Sequence, residues 1–154
     1  MNTNELLNFM ENDSYIHSMM GDVVAKDLLP KPTNSPTLFI VNLDKSNKEG
    51  SHWIALLLSN KYINEYFDPL GNKPDLFFRQ YFNRYSIACL VNTKKCQSSV
   101  TSSCGKFCLL YCYLRSRGKS LAEILTLFSY NTVYNELFVN NFYNTVTSNN
   151  HNKS

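Results

Sequence analysis

Four of the five cysteines in this chain lie in one stretch, CQSSVTSSCGKFCLLYC, running from Cys96 to Cys112. Cysteines so crowded can ligate a metal, pair as disulfides, pack as small hydrophobes, or supply one reactive thiolate. Metal ligation fits poorly. On a helix Cys104, Cys108 and Cys112 share a face, but no second pair has ligand spacing and no nearby histidine completes a tetrahedral set. Disulfides fit poorly too, because the count is odd and the thiols crowd between Cys89 and Cys112, unlike the framework of a small secreted domain. Cys108 and Cys112 stand among Phe107, Leu109, Leu110 and Leu114, and Cys89 lies within an apolar run. Those three read as inert core residues.

Cys104 differs. It follows Ser102-Ser103 and precedes Gly105, at the expected start of a helix. A thiol there feels the positive end of the helix dipole, which favours thiolate and can bring its pKa from about 8.5 to roughly 3.5–7.5. The unpaired N–H groups of a first helical turn can also donate to a developing oxyanion. Gly105 removes side-chain bulk where a substrate carbonyl would approach. A cysteine in such a sequence is weak evidence by itself and needs a base.

The chain has three histidines. His17 lies in an early segment with little pattern, and His151 is in the tail. His52 opens an apolar run and precedes Trp53, the sole tryptophan. Alone, it would be read as a surface residue at a strand start. It precedes a hairpin whose second strand ends in Asp68, within YFDPLG. With a tight turn at Asn60-Lys61, His52 and Asp68 fall close to opposite one another, where cross-strand Cβ atoms are about 4.5–5.5 Å apart. An Asp–His hydrogen bond there would fix the imidazole's tautomer and orientation. Asp68 alone would be a turn residue before Pro69. Gln97, seven residues before Cys104, would by itself be a loop residue, but its amide can donate to an oxyanion beside the Cys104 N–H.

The elements that must carry these residues follow from the hydropathy pattern. TNELLNFMEND reads as a short helix capped by Thr3, and MGDVVAKDLLPKPTNSPT as a turn or brief helix followed by an irregular connection. Thr37–Asp44 and His52–Ser59 are apolar runs of strand length with the polar loop KSNKEGS between them. Tyr62–Asp68 is a third strand and SIACLVNT a fourth, separated by a helix that begins near Pro74. SSCGKFCLLYCYLRSRGKS is a helix that Ser102 or Ser103 caps and that Gly118 terminates. Ser120 starts another, reaching about Ser129, and the asparagine-rich segment from Asn131 holds a last one, with SNNHNKS fraying. The expectation is an α+β fold: a small mixed, mostly antiparallel sheet flanked by helices, with Cys104 at the N-terminus of a central helix. Residues 1–148 form a single domain and 149–154 a disordered tail.

The bulk numbers bound the rest. A length of 154 residues suits one domain, and the net charge of +3 falls short of the dense basic face of a nucleic-acid binder. Lys94, Lys95, Lys106, Arg115, Arg117 and Lys119 are a cluster that reads as a solvated face before it reads as a DNA patch. No run reaches the roughly 18 apolar residues of a membrane span. The first residues lack the basic and apolar parts of a signal peptide. An intracellular, non-secreted, monomeric protein is expected.

The order HW, then DPLG, then a glutamine before CG resembles the adenovirus-type endopeptidases (adenain) and the related ubiquitin-like-protein (SUMO) proteases. In both, the cysteine comes last. The resemblance spans roughly Thr37–Gly118 and extends more loosely to GDVVAKDLLP, which is similar to the lead-in of proteases from adenovirus-like elements and virus-like transposons. It implies a cysteine endopeptidase acting on viral protein precursors, with Cys104 as nucleophile, His52 as general base and then acid, Asp68 as orienter, and Gln97 as oxyanion donor. It further implies that Trp53 walls a narrow cleft and that cleavage follows Gly-Gly or Gly-X-Gly-like sequences. No metal or organic cofactor is required, a peptide or DNA activator is implied by resemblance, and the place of work would be the host nucleus or the virion. Two departures are an Asp where the mammalian adenovirus enzymes carry Glu, and a shorter chain, which puts a groove for an activating peptide in doubt. The rival readings are a protease removing ubiquitin or SUMO-like modifiers from host conjugates, an acetyltransferase with the same triad, and a silent binding module.

Overall fold

The computed structural model describes residues 1–47 and 52–151; most of the expected loop before His52 and the last three residues of the tail lie outside the described residues. Strands β2 (Thr37–Asn42) and β3 (Trp53–Leu58) are the apolar runs, paired antiparallel so that Ile40 faces Ala55 and Asn42 faces Trp53. β4 (Asn64–Phe67) pairs antiparallel with β3, and β5 (Cys89–Val91) pairs parallel with β4. A strand the sequence did not suggest, β1 (Met20–Ala25), closes the other edge by pairing parallel with β2. The sheet is thus mixed, with order β1-β2-β3-β4-β5, antiparallel at its centre and parallel at both edges. Gly21 and Asp22 interrupt any alternation in β1, so its conformation comes from the neighbouring strand, and the ladder shifts register between Met20 and Val23.

Both faces of the sheet are buried, which is why its central strands read as continuous hydrophobic runs. One face, carrying Leu38, Ile40, Ala55, Leu57 and Phe67, packs on α4 (Cys104–Ser116). The other, with Phe39, Val41, Ile54, Leu56 and Tyr66, packs on Phe78 and Tyr81 of α3 (Leu76–Arg84). α4 is the central helix: Phe107, Cys108, Leu109, Leu110, Tyr111 and Cys112 are all buried. Around it lie α1 (Thr3–Asn12), α2 (Ser14–Met19), α5 (Leu121–Thr126) and α6 (Thr132–His151).

Several local expectations are corrected. The cap of α1 is Asn2 rather than Thr3, and it forms a capping box with Glu5. His17 sits in α2, which is capped by the Asp13 carboxylate. The connection between β3 and β4 is not a two-residue turn but the five-residue segment Ser59–Ile63, held because the Asn64 carboxamide takes both the N–H and the carbonyl of Ser59. β5 keeps only three residues of the longer strand expected, and α5 ends at Thr126, short of Ser129. α6 continues through His151, so residues 149–151 are helical rather than frayed.

Candidate active site

His52 immediately precedes β3 and Asp68 immediately follows β4. The observed register pairs Ala55 with Phe67. Continued by one residue, it sets Asp68 opposite Ile54, with His52 a diagonal neighbour rather than a direct one. The side chains still meet: His52 Nε2 lies 2.6 Å from Asp68 Oδ1. The same Oδ1 accepts the Leu70 N–H at 2.8 Å, and Gly71 N–H donates to the Asp68 carbonyl at 2.8 Å, so the DPLG turn aims the carboxylate. Gly71 closes this turn at φ +73, a conformation that side chains disfavour.

The imidazole has two nitrogens; Nε2 is on Asp68, and the ring and the Cys104 thiol stabilise one another's charged forms. Cys104 is the first residue of α4 and is 6% exposed. Burial opposes its ionisation, but the His52 ring and backbone hydrogen bonds at Trp53 and Gly105 outweigh that and hold the thiol below its ordinary value. For His52, burial opposes the charged form. Hydrogen bonds to Asp68 and Cys104, and their charges, nonetheless raise the imidazole to about 9. The other four cysteines move in the opposite direction: burial pushes Cys89 and Cys96 up to about 12, and Cys108 and Cys112 higher still. All five are free thiols. Cys108, one turn along α4, turns its sulfur to the Trp53 carbonyl at 3.4 Å.

Gln97 is 2% exposed. Its Nε2 donates one hydrogen to the Thr101 carbonyl at 3.0 Å, and its Oε1 has no partner among the described residues. Its N–H, like that of Cys96, is bonded to the Pro69 carbonyl, which ties this loop to the Asp68 turn. Trp53 packs at the edge of the α4-side core and donates its indole N–H to the Met1 carbonyl at 3.2 Å. Gly105 faces the N-terminal segment: a Cβ added there would meet Leu6 of α1 and Met1 at 3.3 Å. The N-terminal segment packs closely over this glycine, and a side chain there would make Leu6 and Met1 give way slightly.

Sequence reasoning missed Asn92, Asn135 and Glu136, three polar residues with no local pattern to distinguish them. Each bonds the backbone or hydroxyls of the segments that carry Asp68, Gln97 and Cys104. Of the basic cluster, Arg115 is committed to Glu65, Arg117 to Asp13, and Lys94 to the carbonyls of Leu125 and Phe128 at the end of α5.

The fold, a mixed sheet packed on a central helix, is shared with a solved viral protease. The ASFV pS273R protease superposes with a TM-score of 0.53 at 16% identity, over 71% of this chain and 54% of that one. In sequence, the chain is 34% identical to the protease of bovine adenovirus 4 over 98 residues, covering 53% of this chain and 49% of that protein. It is 29% identical to the protease of bovine adenovirus 7 over 103 residues, covering 56% and 51% respectively. No protein-family model matches the chain. In sequence the chain is thus similar to adenovirus proteases, and in fold to a solved viral protease. It spans about half the length of the curated relatives it matches.

Proposed function

We propose that this chain is a cysteine endopeptidase that processes viral protein precursors. The carrying observation is the linked set of Cys104, His52 and Asp68, in which Cys104 is the one thiol of five whose pKa is lowered. At rest the pair is thiolate and imidazolium. The Cys104 sulfur attacks the carbonyl carbon of the scissile bond, and the resulting oxyanion is held by the Cys104 N–H and the Gln97 amide. As the C–N bond breaks, His52 gives its proton to the leaving amine, producing a thioester. His52 then takes a proton from water, and the hydroxide so formed releases the acid and regenerates the thiol. Asp68 keeps the ring's other nitrogen occupied throughout and stabilises its charge.

Cleavage after glycine, in Gly-Gly or Gly-X-Gly sequences, is the specificity that the family resemblance supports, with Trp53 as the cleft wall. The same resemblance implies work in an infected cell's nucleus or in the virion. No helix among the described residues is long and apolar enough to cross a membrane.

The test is a fluorogenic panel of Gly-Gly and Gly-X-Gly peptides together with ubiquitin and SUMO conjugates. Each is incubated with the chain and with Cys104→Ala, with and without DNA. Cleavage of short peptides that Cys104→Ala abolishes is the expected result. Cleavage of conjugates alone would replace it with the modifier-removing reading, and equal cutting of peptides with bulky residues at the cleaved bond would sink the glycine specificity.

A further inference from the structure

The segment from Cys96 to Ser103 carries one oxyanion donor, Gln97, and leads into the other, the N–H of Cys104. It has no helix or strand of its own. Beyond the tie of its first two N–H groups to the Pro69 carbonyl, it is held by two consecutive residues of α6. Asn135, fully buried, donates to the Cys96 carbonyl at 3.0 Å. It is itself fixed by exchanging two further hydrogen bonds with the backbone of Ser129. Glu136 then takes three donors from the rest of the segment: the Ser98 N–H at 2.9 Å, the Thr101 hydroxyl at 2.7 Å and the Ser103 hydroxyl at 2.5 Å. A carboxylate is suited to this because it only accepts and offers about four lone-pair directions.

These three anchors bracket the oxyanion site. Ser98 shares a peptide unit with Gln97. Thr101 offers its hydroxyl to Glu136 and its carbonyl to the Gln97 amide, so holding one holds the other. Ser103 is the residue that opens α4, and its hydroxyl is spent on Glu136 instead of capping its own helix. The thiol's activating partners come from elsewhere, His52 and Asp68 at the ends of β3 and β4.

We propose that Glu136 is the positioning residue of the oxyanion site: it sets the Gln97 amide and the Cys104 N–H from α6 without touching the thiolate–imidazolium pair. The inference rests on the endopeptidase reading for its chemistry, and it separates two rates. Alkylation of Cys104 by iodoacetamide needs the thiolate and forms no oxyanion. Acylation by a nitrophenyl ester of blocked glycine needs both.

The experiment measures both rates for the wild-type chain and for Glu136→Ala, Glu136→Gln, Thr101→Val and Gln97→Ala, with a thermal melt of each. Removing an oxyanion donor outright costs on the order of 100-fold or more, so Gln97→Ala sets the scale. Glu136→Ala is expected to lose about tenfold to 100-fold in acylation while alkylation stays within about twofold. Glu136→Gln should fall between, because its remaining oxygen still accepts from Ser98 and Thr101 but its amide cannot accept from Ser103. Thr101→Val carries the same test if Glu136→Ala fails to fold. Parallel loss of both rates, or loss of neither, overturns the inference, as does a wild-type chain that alkylates but is not acylated by the ester. Ester acylation with the expected split, but no peptide cleavage, would overturn the endopeptidase reading and leave the positioning role standing.

Discussion

The Asn92 carboxamide holds both backbone polar groups of Asp68: its Oδ1 accepts the Asp68 N–H at 2.8 Å and its Nδ2 donates to the Asp68 carbonyl at 2.7 Å. The parallel ladder between β4 and β5 reaches Tyr66 and Val91, and one residue past its end a side chain continues the pairing in place of a strand. Both residues are at least 98% buried, so neither backbone group has water as a substitute. The carboxylate that orients His52 thus stands on an extension of the sheet.

Asn92→Ala should therefore act on stability and on chemistry together. It strands a buried N–H and a buried carbonyl, each costing about 1–3 kcal/mol when unsatisfied, and it frees Asp68 to leave His52. The expected outcome is a lower melting temperature with a slower thiol at neutral pH, read by alkylation. A full-rate thiol in a destabilised Asn92→Ala protein would separate the clamp from the site.

The pH profile of single-turnover peptide cleavage should have two limbs. Activity rises as Cys104 loses its proton, at a pH below that of an ordinary thiol, and falls as His52 loses its proton near pH 9. Asp68→Asn removes the charge, and the charge assistance of the hydrogen bond, that raise His52, while burial still opposes its charge. The alkaline limb should then move below pH 9, and the acid limb upward as the thiolate loses its cation. Unchanged limbs in Asp68→Asn would show that the aspartate does not set the ring's charge.

Gly71→Ala should loosen the same carboxylate from the turn side. The backbone there is at φ +73, and an added Cβ would come within 2.9 Å of the Thr93 carbonyl oxygen. Backbone cannot swing away as a side chain can, so strain adds to crowding, together about 1–3 kcal/mol. Chemical denaturation should show that loss, accompanied by reduced cleavage.

The ion pair below the sheet gives a prediction about stability alone. Glu65 lies on β4, buried, and accepts from Tyr111 at 2.5 Å and from Arg115 at 3.0 Å. Arg115→Met leaves the carboxylate buried without its cation, at a cost of about 3 kcal/mol. Tyr111→Phe should cost about 1–2 kcal/mol. Neither residue contacts the candidate triad, so Cys104 alkylation in the folded fraction should stay at the wild-type rate.

What the sequence determined by itself is what local physics decides. Two continuous apolar runs of strand length read as buried strands, and the helix from Cys104 to Ser116 was readable from its apolar density and the glycine beyond its end. His52 and Asp68 were within reach because they flank a hairpin, and a hairpin brings its ends together whatever the rest of the chain does. Even there the five-residue connection shifted the pairing to a diagonal, since Asn64 holds that turn through a side-chain bond that hydropathy does not register.

Tertiary structure alone decided the rest. β1 is a strand because β2 lies beside it, and Gly105 faces Leu6 and Met1 because α1 packs on α4. Asn92 and Glu136 are ordinary surface types by composition, yet they bond groups 24 and up to 38 residues away in the chain. A hydrogen bond across such a separation is specified by how helices and sheet pack, not by any period in the residues between. The candidate reactive side chains announce themselves by type and order; the residues that hold them in place do so only once the chain has folded.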